Sequence, residues 1–305
     1  MNNGGAGVDY FATVADIAYN ASRQSVECGS GITIYYPTQT DTLPGTHIFV
    51  SQTFTWGNVD PNPCAGSVPT DGEGVIFDTW NGNAYAAQGV MENNIAFFNG
   101  SSGFRVDIST LAPIFIFNNT AYGDNRGTGM NSQWCGEITS QQSTNVAEFN
   151  NIARTNLATG CGSFPNYAYY LAGPDGTNQV YSNMGYSAAG YNNTTFGGIG
   201  FSFGVGNIFG IDPSFVSAPS SAPGPPNCSG ASSVINCMAP IIADFVAKAP
   251  QAAGMGYQPV SNTPNSDPFF PQWLCNVNLP VGLVTMGCAT SNTLSPPAVL
   301  SIQTP

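Results

Sequence analysis

The chain has few acidic residues, and several of them recur at matching places. Asp71 and Glu73 lead into Gly74-Val-Ile-Phe-Asp78, and a second segment reads Gly103-Phe-Arg105-Val-Asp107. Gly31-Ile-Thr-Ile-Tyr35 opens the same way, and Gly136-Glu137-Ile-Thr is a fourth copy shifted by one residue. Alternate side chains of a strand face opposite sides. With Val75/Phe77, Phe104/Val106 and Ile138 facing a core, one outer column holds Thr33, Ile76, Arg105 and Glu137. Its neighbour holds Tyr35, Asp78, Asp107 and Thr139. Strands that stack at about 4.8 Å then set Asp78 against Asp107, with Arg105 and Glu137 alongside. Carboxylates that close share a proton, bind a cation or lean on the arginine. As a pair they suit glycoside hydrolysis, one as general acid and the other as nucleophile or base. Trp80 and Tyr35 offer rings for a sugar, and Asp71 and Glu73 deepen the acidic character. The plain alternative is an ion network of little energetic consequence.

Other chemistries find less support. His47 precedes Ile48-Phe-Val with no nucleophile nearby, which suits a structural histidine. No Gly-x-Ser-x-Gly elbow occurs. Glu92 and Glu148 belong to other faces. The eight cysteines, Cys28, Cys64, Cys135, Cys161, Cys228, Cys237, Cys275 and Cys288, form no Cys-x-x-Cys pair. With a single histidine, this argues against a zinc site. An even cysteine count points to four disulfides and an oxidising compartment. Sequential pairing (Cys28–Cys64, Cys135–Cys161, Cys228–Cys237, Cys275–Cys288) closes the most local loops.

Net charge is −12, with five basic residues in 305. That balance argues against nucleic acid and against anionic membrane surfaces. It leaves neutral ligands, cations and calcium bridging. Only 7% of residues are charged, against about 25% in an ordinary domain; Asn, Ser, Thr and Gly stand in for the missing charge. Aromatic content of 12% argues for a packed core over disorder. No apolar run is long enough to span a bilayer.

Those columns require a repeating scaffold, and the chain supplies one. Asp16-Ile-Ala-Tyr is echoed by Asn94-Ile-Ala-Phe, Asn119-Thr-Ala-Tyr, Asn151-Ile-Ala-Arg and Asn183-Met-Gly-Tyr, with Thr53-Phe-Thr-Trp a looser copy. The last slot falls at Tyr19, Trp56, Phe97, Tyr122, Arg154 and Tyr186. Repeats separated by a few tens of residues signal a solenoid, and the period-two alternation makes each unit β. The units are too short for propeller blades; a β-sandwich would not need the recurring phrase. Asn at each bend tolerates left-handed backbone and bonds its equivalent in the next coil. Ser217–Gly230 is rich in Pro, Ser and Gly and reads as a linker. Beyond it, Val234, Met238, Ile241, Ile242, Phe245 and Val246 recur at helical spacing. Ser233 is the expected cap, and Pro240 is expected to break or restart the helix.

Asn-Asn-Ile-Ala-Phe-Phe-Asn99, Asn-Asn-Thr-Ala-Tyr-Gly123 and Phe209-Gly-Ile-Asp-Pro-Ser-Phe215 resemble the rungs and closing rung of right-handed parallel β-helix repeat proteins of the pectin-lyase-like fold. The tail Asp267-Pro-Phe-Phe-Pro-Gln-Trp-Leu-Cys275 through Thr285-Met-Gly-Cys288 is similar to a secreted microbial group within it. The resemblance implies an all-β, right-handed parallel β-helix over residues 1–216, with N-terminal coils expected to precede residue 1. A disulfide-pinned cover with a short helix follows over 217–290, then a linker-like tail over 291–305. It implies a secreted monomer acting on a polysaccharide, as hydrolase or lyase, through Asp78, Asp107, Arg105 and Glu137. Tyr35, Trp80, Asp71 and Glu73 would bind substrate. In the lyase version carboxylates hold Ca2+ while Arg105 serves elimination on a uronate, although Lys248, the sole lysine, lies outside the repeats. The competing expectation is a non-catalytic module that binds glycans or adheres to surfaces through its Asn/Thr-rich faces. A third is that the repeats present here carry only part of the groove.

Overall fold

The computed structural model describes residues 7–19, 29–60, 71–127, 135–156, 161, 166–173, 177–188, 196–199, 201–256 and 269. Short strands follow in triplets, one triplet per coil. The first coil holds β1 (Phe11–Val14), β2 (Ile17–Tyr19) and β3 (Ile32–Tyr35). The second holds β4 (Thr46–Ser51), β5 (Phe54–Trp56) and β6 (Val75–Asp78), and the third β7 (Gln88–Glu92), β8 (Ile95–Phe97) and β9 (Phe104–Asp107). Next come β10 (Ile114–Phe117), β11 (Thr120–Tyr122) and β12 (Gly136–Gln141), then β13 (Val146–Phe149), β14 (Ile152–Arg154) and β15 (Tyr167–Ala172). The last elements are β16 (Asn178–Tyr181), β17 (Met184–Tyr186), β18 (Phe196–Ile199), β19 (Phe201–Phe203) and β20 (Ile208–Phe209). Every first strand stacks on the next coil's first strand, and likewise for the second and third. Two sheets of seven strands and one of six result, parallel throughout. This is a parallel β-helix.

The recurring phrase now has a physical meaning. In Asn94-Ile-Ala-Phe97 the Asn and Ala turn inward, and Ile and Phe outward. The second sheet carries a small-residue column inside, Ala18, Thr55, Ala96, Ala121, Ala153 and Gly185. Bulk on the other two sheets fills the core, through Ile32, Ile34, Phe77, Phe104 and Val106 on one and Ile48, Val50, Met91, Ile114 and Ile116 on the other. Tyr19, Trp56, Phe97, Tyr122, Arg154 and Tyr186 form one outward column in register.

Asparagine pairs divide the corner's labour. The first of each pair (Asn93, Asn118, Asn150, with Gln52 and Ser182 at equivalent places) takes the left-handed bend, φ 53°–55°. The second is buried and builds a ladder. Asn94 N and Nδ2 donate to Asn119 Oδ1 at 3.0 and 2.9 Å, Asn119 does the same to Asn151, and Asn151 to Asn183. At the Asn118–Asn150 corner the bend residues also bond each other, Asn150 Nδ2 donating to Asn118 Oδ1.

The outward aromatics of the second sheet lie under α1 (Val234–Asp244), where Phe54, Trp56, Phe97 and Tyr122 meet Met238 and Phe245. Ser233 caps this helix by accepting from Asn236 N at 3.1 Å. Contrary to expectation, the helix runs through Pro240 unbroken. Packing of Met238, Ile241 and Ile242 on the sheet and the Cys228–Cys237 disulfide hold it across the missing hydrogen bond. Cys135–Cys161 is also bonded. Both are the sequential pairs, and both fit an oxidising compartment. Cys28, Cys64, Cys275 and Cys288 lie outside the described residues. Among those residues no helix is long and apolar enough to cross a membrane.

Candidate functional site

The third sheet carries the acidic cluster. β6 and β9 pair with Ile76 opposite Arg105 and Asp78 opposite Asp107, and Tyr35 precedes Asp78 in the same column. The two aspartates are therefore on neighbouring strands, pointing outward. Arg105 is buried between two carboxylates, with Nη1 donating to Glu73 Oε1 at 2.8 Å and Nη2 to Asp107 Oδ2 at 2.5 Å. Glu73 is held from its other side by the Ser30 hydroxyl at 2.5 Å. The Asp107 Oδ1 atom is sealed from solvent, with no hydrogen-bond partner among the described residues.

Electrostatics separate the acids. Burial pushes Asp78 up to about 6; its hydrogen bond from Thr79 opposes the rise and the charge of Asp107 adds to it. Burial, then Glu73 and Asp78, carries half-buried Asp71 to about 8. Asp107 is raised by burial against the pull of Arg105. Arg105 stays charged, since its carboxylate neighbours outweigh its own burial.

Two candidate site residues, Glu137 and Trp80, fall elsewhere than the strand register read from the sequence put them. Glu137 does not stand beside Arg105. β12 pairs with β9 through Ile138 opposite Phe104 and Thr139 opposite Arg105, so Glu137 falls in the column of Gly103 and points inside. Thr139 consequently neighbours Arg105, and Gln141 takes the place next to Asp107. Trp80 offers no sugar platform. It is fully buried beside Phe77 and Tyr85, its indole N–H donating to the Ile34 carbonyl at 3.1 Å. Gly89 makes the room, because a Cβ there would come within 2.5 Å of the indole. Tyr35, by contrast, is 46% exposed.

A second polar constellation was not foreseen. His47 Nδ1 lies 2.8 Å from Asp9 Oδ1 and Nε2 lies 2.9 Å from the Leu43 carbonyl. Burial pushes Asp9 up, but hydrogen bonds from Thr40 and His47 outweigh it and hold the carboxyl below its usual range. Asp41 completes a triad of potential metal ligands. Its oxygens already accept from Tyr10 OH at 2.6 Å and Leu43 N at 2.8 Å. With each of these groups engaged, the cluster ties the first coil to the start of the second, a structural role for His47. No spacing signal in the sequence joins residues 9, 41 and 47.

Calcium does not fit the Asp78–Asp107 pair. A calcium ion seeks six to eight oxygens, and the Arg105 guanidinium occupies one side of Asp107. No elimination step through a metal is therefore derived. Comparison with protein-family models, curated proteins and solved structures finds no match to this chain.

Proposed function

We propose that this parallel β-helix is a secreted, monomeric hydrolase that acts on a neutral polysaccharide, with Asp78 as the acid–base group. The pectin-lyase-like phrases of the sequence and the disulfides support a secreted carbohydrate-active protein. The observation that carries the reading is the direct opposition of Asp78 and Asp107 on β6 and β9. Neighbouring strands lie about 4.8 Å apart, close to the roughly 5–5.5 Å carboxyl separation of retaining glycosidases. Asp78 is the more exposed of the two, and at about 6 it holds its proton in mild acid. It protonates the leaving glycosidic oxygen. Asp107, fixed by Arg105, places negative charge beside the oxocarbenium-like centre. Asp78 then takes a proton from the incoming water. Tyr35, next in the column, gives a ring face to a sugar.

A neutral substrate follows from charge. Asp71, Glu73, Asp78 and Asp107 surround one arginine that already bonds two of them. A uronate carboxylate would meet net negative charge with no cation to receive it. Asp78→Asn is expected to lower turnover about 10²–10⁴-fold, the usual contribution of a positioned acid, with the fold retained. Asp107→Asn is expected to shift the pH–rate profile of the remaining activity toward lower pH, because the charge that raises Asp78 is gone. Reducing-end release from neutral oligosaccharides measures both.

One observation favours the non-catalytic reading. Ile76, Arg105 and Thr139, all outward on this sheet, are buried, so the face beside the aspartates is closed. Glycan binding without turnover, unchanged by Asp78→Asn, would establish that reading instead.

A further inference from the structure

We propose that this solenoid is tuned to acidic surroundings, because carboxyl groups sealed in its core, with no cation against them among the described residues, hold the fourth and fifth coils together as neutral acids, and loss of their protons loosens those coils. Two separate places in the core carry this, and neither belongs to the Asp78 site.

The first is the Asp124–Glu137 pair inside the fourth coil. Both residues are fully buried. Asp124 Oδ1 accepts from Asn99 N and Nδ2 at 2.7 and 2.9 Å, continuing a corner ladder from Asn58 through Asn99. Among the described residues no N–H reaches its Oδ2, which lies where a side chain on Gly103 would be, 2.6 Å from a Cβ built there. Glu137 Oε2 accepts the Asp124 backbone N–H at 3.0 Å, and Oε1 lies 3.5 Å from Asn166 Nδ2. The groups facing the pair are amides from β-corner residues Asn99 and Asn166, and the charged group acting on Glu137 is Asp124 itself. Burial and that charge raise Glu137 well above the ordinary range, and burial carries Asp124 to about 7 against its hydrogen bonds.

The second is Glu148 in β13. It points inward between Ile116 of β10 and Val180 of β16. Among the described residues neither of its oxygens has a hydrogen-bond partner. The titratable group facing it is Tyr169 of β15, whose hydroxyl donates to the Asn151 and Met184 carbonyls. Burial alone pushes Glu148 up to about 8.

The sign is fixed by linkage. In the unfolded chain these carboxyls titrate at about pH 4, whereas in the fold Asp124 keeps its proton to about 7 and Glu148 to about 8, and Glu137 is raised as well. Over that window the unfolded state binds fewer protons, so stability falls as pH rises. The net charge of −12 repels in the same direction. Asp9 and Asp212, held low by Thr40 and His47 and by Arg154, act oppositely only in stronger acid.

Thermal unfolding of the full chain between pH 4.5 and 8.5 tests this. Tm is expected to be highest near pH 5 and to fall steadily toward pH 8. Glu148→Gln is expected to raise Tm by roughly 5 °C at pH 8 and to change it little at pH 5; Glu148→Leu serves if the glutamine variant folds poorly. Glu137→Gln is expected to flatten the slope as well. Amide exchange in residues 114–186 should accelerate between pH 5 and 8, beyond the intrinsic pH effect, while residues 46–51 stay protected. A Tm maximum at or above pH 7, or variants whose profiles run parallel to wild type, would overturn the proposal.

Discussion

Arg105→Met is expected to destabilise the protein by about 3–5 kcal/mol, the usual cost of removing one partner of a buried ion pair. The guanidinium is the shared partner of Glu73 and Asp107, and all three lie almost out of solvent. Methionine replaces the volume, so the loss is electrostatic, with two buried carboxylates left facing each other across two coils. Glu73→Gln in the same background is expected to recover part of the loss. Denaturant unfolding of the two single variants and the double variant gives the coupling directly. Additive losses would mean that Arg105 is held by packing and that its ion pairs carry little.

Asn151→Ala is expected to cost a comparable amount, about 4 kcal/mol. Asn151 is a middle rung. Its Oδ1 accepts from Asn119 N and Nδ2, and its Nδ2 donates to Asn183 Oδ1 at 3.0 Å and to the Ile116 carbonyl at 2.8 Å. Truncation strands several buried polar groups, each at roughly 1–3 kcal/mol before relaxation. Asn150→Ala, one residue earlier, removes a left-handed bend residue and its less buried hydrogen bonds to Asn118 Oδ1 and the Gly254 carbonyl, and is expected to cost only about 1 kcal/mol. Equal effects at the two positions would contradict the division of labour between bend and ladder.

The phrase Asn-Ile-Ala-aromatic made the solenoid legible because one coil's needs recur in the next. An inward amide, an outward apolar residue, a small inward residue and an outward ring all leave a mark on the sequence. The Asp78–Asp107 pairing was legible for the same reason, since β6 and β9 each open on glycine and have equal length. Glu137 was misplaced because β12 is two residues longer and Gly136 is not the equivalent of Gly103. Trp80 looked like a surface ring because it follows Asp78. Only the absence of a side chain at Gly89, one coil on, sends it into the core. Asp124 continues the Asn58–Asn99 ladder, but buried Glu148 and the Asp9–His47 contact rest on residues whose types do not recur in register. A repeat-based reading has no signal for them.

The most direct test of the central claim is a product assay at about pH 5 with neutral and uronic oligosaccharides, reading reducing ends and unsaturated ends in parallel for wild type and Asp78→Asn. The account predicts reducing ends from a neutral substrate, no unsaturated product, and loss of the signal in Asp78→Asn. Unsaturated ends from a uronic substrate, or turnover that survives the substitution, would contradict it.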